Sequence, residues 1–181
     1  MCSSNYDIFV TNCANYGSVT HYGKSSYSYI GGIAGYSAGN KYRYLNNNVN
    51  YGTIDHNGTT SVKLHIGGIL GMSYYSNPEN CVNAGDIITN TKSEYIGGIT
   101  GSLSKSTLFH CYWNENDHFN ASGPLALEST VTESLSFNDD LRLSEPVAIK
   151  FYKGDSLVDA LNAFSDSQAL KSYSHWLLNR G

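Results

Sequence analysis

Charge is scarce in this sequence. Only 14% of its 181 residues are Asp, Glu, Lys or Arg, and 11 Lys+Arg against 15 Asp+Glu leave a formal net charge of −4. The basic residues form no run, which argues against electrostatic binding of nucleic-acid phosphates. Long apolar runs are lacking too. No window approaches the ~18 apolar residues of a membrane helix, so no membrane span is expected. The opening MCSSNYDIFVTNCANYGSV has neither the basic start nor the roughly 7–15-residue apolar stretch of a secretory leader. Chemistry-bearing motifs are missing as well: there is no G-x-S-x-G, no G-K-[ST] after a glycine loop, no H-x-x-x-H and no closely spaced cysteine pair. No cofactor is expected, and the four cysteines at large spacings do not point to zinc.

What is present is glycine (18), tyrosine (15) and a repeat, with proline reduced to 3. Tyr and Thr suit pleated surfaces, Gly and Asn the corners between them. YIGGIAG (29–35) returns as HIGGILG (65–71) and YIGGITG (95–101). Between these copies stand CANYGSV (13–19), NVNYGTI (48–54) and CVNAGDI (81–87), with a degenerate CYWN at 111–114. The second element starts at 13, 48, 81 and 111, steps of 35, 33 and 30. Two elements that keep their order while their spacing drifts describe a solenoid whose strands are fixed and whose loops vary.

Residue parity indicates strands. Cys13, Asn15, Gly17 and Val19 lie two apart, as do their counterparts in the later copies, and so face one side of an extended chain. Stacked coils place Asn15, Asn50 and Asn83 in one column about 4.8 Å apart, where side-chain amides donate and accept along the column. Ile30, Ile66 and Ile96 form a second column. Ile30 and Ile33 are three apart, so the intervening glycine pair is expected to bend the chain and let both isoleucines point inward. Tyr29, His65 and Tyr95 then form an outward ladder of flat rings, a stabilising stack in one reading and a sugar-binding platform in the other.

YIGGIAG alternating with C-x-N-x-G-x-[VI] resembles the GLUG-type repeats of microbial cell-surface proteins, which also occur in non-catalytic parts of some secreted peptidases. The resemblance covers residues 8–116, and SLVDALNAF with YSHWLLN resembles the segment that follows the last repeat in such proteins. It implies a mainly β, parallel β-helix of three to four coils, exposed outside the cell or at its surface. Asn48 stands where the family usually has cysteine, and no peptidase segment follows.

Three segments are expected: solenoid repeats over 1–116, an irregular strand and loop region over 117–154, and a helical C-terminal cap over 155–181. Leu157, Val158, Leu161 and Phe164 share one helical face behind a Ser156/Asp159 cap signal, and Ala169, Leu170, Tyr173, Trp176 and Leu177 suggest a second helix. Cys13, Cys81 and Cys111 occupy one repeat slot and read as buried thiols, with a Cys81–Cys111 bridge left open. Asp55 and Asp86 fall in different slots, and Asp139 and Asp140 are adjacent, so no acid pair for polysaccharide cleavage is assembled. Asn57 and Asn120 head glycosylation sequons. The expected function is a non-enzymatic surface, adhesion or scaffolding module that contacts a host or cell-surface glycan or protein. The alternatives are a solenoid glycan hydrolase or lyase, the non-catalytic part of a secreted peptidase, and a subunit that stacks end to end through an uncapped N-terminal rung.

Overall fold

The computed structural model describes residues 8–24, 26–39, 43–58, 63–115, 119–126, 128–149, 152–168 and 175–176. The chain winds into a parallel β-solenoid. Its first coil runs through β1 (Ile8–Thr11), β2 (Ala14–Asn15), β3 (Val19–His21), β4 (Tyr27–Gly31) and β5 (Ala34–Ala38). The second repeats the path in β6 (Arg43–Asn46), β7 (Val49–Asn50), β8 (Ile54–His56), β9 (Lys63–Gly67) and β10 (Leu70–Tyr74). The third does so in β11 (Asn77–Glu79), β12 (Val82–Asn83), β13 (Ile87–Thr89), β14 (Ile96–Gly97) and β15 (Thr100–Ser104). A fourth keeps β16 (Thr107–Phe109) and β17 (Tyr112–Asn114) and touches β15 through single bridges at Ser122 and Leu125. Parallel stacking continues into β18 (Thr130–Thr132) and β19 (Leu135–Phe137), beyond the last copy legible in the sequence.

The register follows the repeat. Ile30 pairs with Ile66 and Ile66 with Ile96, while Asn15, Asn50 and Asn83 stand one above another. Asn15 Nδ2 donates to Asn50 Oδ1 at 2.8 Å, and Asn50 Nδ2 to Asn83 Oδ1 at 2.9 Å. Each Nδ2 also donates to the glycine carbonyl two residues on, in Gly17, Gly52 and Gly85. An amide buried to zero exposure at Asn50 and Asn83 is tolerable because these bonds satisfy it.

The glycine corner is re-entrant. A Cβ on Gly32 or Gly68 would collide with the side chain of Asn50 or Asn83, and one on Gly98 with Trp113, which takes the asparagine slot in the fourth coil. The corner therefore drives across the interior until it meets the opposite wall, and only glycine fits at that contact. No described glycine has positive φ, so close approach, and not left-handed backbone, is what demands the residue. The contact splits the interior in two. Ile30, Ile54, Leu64, Ile66, Ile87 and Ile96 fill one apolar core; Leu45, Ile69, Leu70, Cys81, Ile99, Leu103 and Leu108 lie in the other. Both isoleucines of each glycine element point inward, into different cores.

A second asparagine column was not read from the sequence. Asn12, Asn47, Asn80, His110 and Glu133, each just ahead of the cysteine slot, all have positive φ between 47° and 58°. Asn47 Nδ2 donates to Asn12 Oδ1 at 2.6 Å and Asn80 Nδ2 to Asn47 Oδ1 at 2.8 Å; higher up, His110 Nε2 meets Glu133 at 2.7 Å. Asn tolerates the left-handed region, which is why it recurs at this turn. In the next slot Cys81 and Cys111 are fully buried free thiols, bonded to the carbonyls of Leu45 and Pro78 in the preceding coil. No disulfide joins them. Cys13, expected inside, is exposed because it lies in the outermost coil.

The C-terminal segment closes one sheet and then turns back. β20 (Arg142–Ile149) pairs antiparallel with β19 and with β21 (Tyr152–Ser156), extending that sheet past the coils. α1 (Leu157–Ser167) starts behind Ser156, whose Oγ accepts from the Asp159 N–H. The helix lies along the outer wall of the coils, not across their end. Phe164 packs on Phe109 and His110 of the fourth coil, and Leu161 O and Ser165 Oγ accept from Asn80 of the third. Leu157 and Leu161 join Val49, Val82 and Tyr112, the outward column beside the asparagines, in a third apolar cluster. The second expected helix, over 169–177, lies outside the described residues apart from His175 and Trp176; Trp176 is buried and exchanges two hydrogen bonds with Asn162.

Candidate functional site

Because the glycine corner bends inward, the outer faces of its two arms converge into a groove. β4, β9 and β14 lead into the corner and β5, β10 and β15 lead out of it. Tyr29 on the entering arm stacks on Tyr36 of the leaving arm with ring centroids 5.1 Å apart, and His65 Nδ1 lies 2.8 Å from Ser102 Oγ. The groove encloses about 330 Å³ and is lined by Tyr27, Tyr29, Lys63, His65, Met72 and Tyr95, with Pro124 and Leu125 at its upper edge.

The ring ladder forms the spine of this groove. Tyr29 and His65 have centroids 5.0 Å apart, His65 and Tyr95 4.4 Å. Successive rings are tilted by 33° and 38°, and the Tyr95 hydroxyl is hydrogen-bonded to the Glu94 side chain. His65 is only 5% exposed, closed in by the two tyrosines and Ser102. Burial, with Lys63 nearby, lowers its pKa to about 4. A general base needs the opposite environment, a carboxylate that orients it and favours its charged form. The Ser102–His65 contact instead ties the two arms together. Tyr27 differs from the ladder rings. Lys63 takes its slot in the next coil, with Nζ 6.0 Å from the ring centroid, and Tyr27 is 55% exposed.

None of the carboxylates singled out earlier stands in register with another. Asp55 stands in register with Thr20 and Ile88, Asp86 precedes β13, and Asp139 and Asp140 sit in the turn between β19 and β20. Among the described residues no group of three or more His, Cys, Asp or Glu is placed to hold a metal ion. Asn57 and Asn120 are both exposed, and Asn57 Nδ2 donates to Asp55 at 3.0 Å.

The groove itself was not foreseen. Tyr36, Met72 and Ser102 share a slot in the leaving arm, but their side chains differ too much for the column to show as a repeat. Comparison with protein-family models, curated proteins and solved structures yields no match in any of the three.

Proposed function

We propose that this chain is a non-catalytic module working outside the cell or at its surface, as GLUG-type repeat proteins do, and that the corner groove binds a glycan. The observation behind this reading is the groove: a straight, weakly charged channel along the solenoid axis, lined by tyrosines. Phenolic oxygens of Tyr29 and Tyr95 and the Lys63 ammonium supply hydrogen bonds to sugar hydroxyls, while Tyr27 supplies a ring face on which a pyranose stacks. A linear saccharide matches the channel's direction, and the low charge of the chain suits a neutral one. No two of the carboxylates singled out share a register slot, which supports binding without cleavage, since glycoside hydrolysis needs two of them facing one bond.

A glycan array tests the reading, with the parent chain and a Tyr27→Ser, Lys63→Ala double variant compared on the same slides. The parent should bind a neutral oligosaccharide, the variant at least tenfold more weakly, and the recovered sugar should be intact by mass spectrometry. Absence of any hit, or equal binding by the variant, contradicts the groove; a shortened sugar contradicts the non-catalytic role.

A further inference from the structure

The two walls of the corner groove are chemically unlike. The entering arms supply Tyr29, Lys63, His65 and Tyr95, all able to hydrogen-bond. The leaving arms and the fourth coil supply Met72, Leu103, Pro124, Leu125 and Ala126, all apolar, interrupted by Ser102 and Ser104. Backbone bonds fix this second wall. The Ala126 N–H donates to the Leu103 carbonyl at 2.9 Å, and the Leu103 N–H to the Pro124 carbonyl at 3.4 Å. Residues 124–126 therefore lie one rung above β15, with Leu125 bridged to Leu103.

One slot decides where the groove is open. In the first coil Tyr36 closes on Tyr29 at 5.1 Å between centroids. Met72 and Ser102 take the same slot in the second and third coils, and neither carries a ring to fill the space. Leu125 stands over that opening, 51% exposed, and joins none of the apolar cores among the described residues.

A glucose-type chain carries hydroxyls along both of its edges. One edge suits the tyrosines and Lys63; the other would lose water against Met72, Pro124 and Leu125 without gaining a partner, which costs binding energy. A sugar with a 2-acetamido group satisfies both walls, because its acetyl methyl covers apolar side chains that water otherwise meets. Its amide N–H has an acceptor at hand. Ser102 Oγ lies 2.8 Å from His65 Nδ1, and whichever of the two donates, one Oγ lone pair remains. A free amino sugar, positively charged at neutral pH, meets Lys63 in the same groove and is repelled.

We propose that the groove selects glycans built of 2-acetamido sugars, with an acetyl methyl seated against Met72 and Leu125. A β-1,4 linkage suits the straight channel, since its equatorial bonds keep a pyranose chain extended. This inference rests on the reading of the groove as a glycan site and adds which glycans it takes. The groove's 330 Å³ is near the small end of ligand pockets, roughly 300–1,000 Å³, so it grips a short stretch of chain.

Isothermal titration calorimetry of the full chain with three β-1,4-linked probes tests the selection. They are the trisaccharide of N-acetylglucosamine, the trisaccharide of glucose, and a tetrasaccharide in which N-acetylglucosamine alternates with its lactyl ether. An acetylated probe should bind about tenfold or more tightly than the glucose trisaccharide, the discrimination an apolar pocket gains from a single methyl-sized group. Whichever acetylated probe binds more tightly assigns the source, a homopolymer or an alternating wall polymer. Met72→Gln should weaken the acetylated probe about fivefold while glucose binding stays within about twofold. Leu125→Ser, at an exposed position outside the cores, should do the same and serves if the first variant folds poorly. Equal binding of the glucose and acetylated trisaccharides overturns the selection and leaves glycan binding standing. No binding of any probe overturns both. A preference that survives both folded variants, or variants that weaken glucose binding equally, also overturns the role given to the apolar wall.

Discussion

Replacing Asn50 by alanine probes the contact around which the coils are built. Asn50 is fully buried; it accepts from Asn15 Nδ2 at 2.8 Å and from the Gly52 N–H at 3.2 Å, and donates to the Gly52 carbonyl at 2.8 Å and to Asn83 Oδ1 at 2.9 Å. Asn15 Nδ2 keeps a second acceptor in Gly17, but the N–H and carbonyl of Gly52 and Oδ1 of Asn83 lose a partner inside the protein. Three such groups at about 1–3 kcal/mol each, reduced by relaxation around the vacated amide, give a cost of about 4 kcal/mol. That is a large share of the 5–15 kcal/mol of roughly any domain this size. Asn15→Ala is the control. Asn15 lies half-buried in the first coil, where water can replace it, and its loss should cost about 1 kcal/mol. Urea unfolding followed by circular dichroism measures both through the midpoint shift at constant slope. Equal costs for the two variants, or a cost below about 1.5 kcal/mol for Asn50→Ala, would refute the reasoning.

Three further outcomes follow from the same geometry. His65 must be neutral when folded; its pKa falls from 6.5 to about 4, so the unfolded chain binds the extra proton between those values. Its contribution is complete above about pH 6.5 and is lost as pH falls towards 4, about 3 kcal/mol in all, and His65→Tyr, the residue of the flanking copies, should flatten this acid slope in pH-dependent unfolding. An unchanged slope would clear His65 of the effect. Alkylation of the native chain should modify Cys13 and spare Cys81 and Cys111 until urea is added, because the latter two are buried at 0% exposure; their labelling in the native state would contradict the cysteine column. Ending the chain after Asp155 removes Leu157, Leu161 and Phe164 from the outer wall, each worth about 2 kcal/mol of burial, and should bring strong binding of a hydrophobic dye; a truncated chain as stable as the parent would mean the helix does not cover the wall.

The solenoid was legible because its rungs repeat residues whose chemistry leaves little choice. Asn15, Asn50 and Asn83 can be buried only by satisfying one another, and Gly32, Gly68 and Gly98 only by meeting something that leaves no room for a side chain. What those glycines meet was not legible, because contact across the interior has no spacing along the chain. The turn column of Asn12, Asn47 and Asn80 was readable in principle, since asparagine precedes the cysteine slot three times. It breaks at His110 and Glu133, where hydrogen bonding continues with different side chains. The groove had the weakest signal: only Tyr29, His65 and Tyr95 repeat, and Lys63 over Tyr27 gains its meaning from the fold. The helical tail was recognisable as a helix, but its seat on the outer wall depends on Val49, Val82 and Tyr112, which as single residues between inward neighbours carry no pattern of their own.

Glycan binding in the corner groove is the central functional claim, and carbon–proton correlation spectra recorded while a bound oligosaccharide is titrated in test it most directly. The account predicts that the ring signals of Tyr27, Tyr29 and Tyr95 and the methyl of Met72, all groove-lining, move together along one binding curve, with Tyr16, which lies outside the groove, left unmoved. Shifts confined to Tyr16 and its neighbours, or no shifts at saturating sugar, would contradict it.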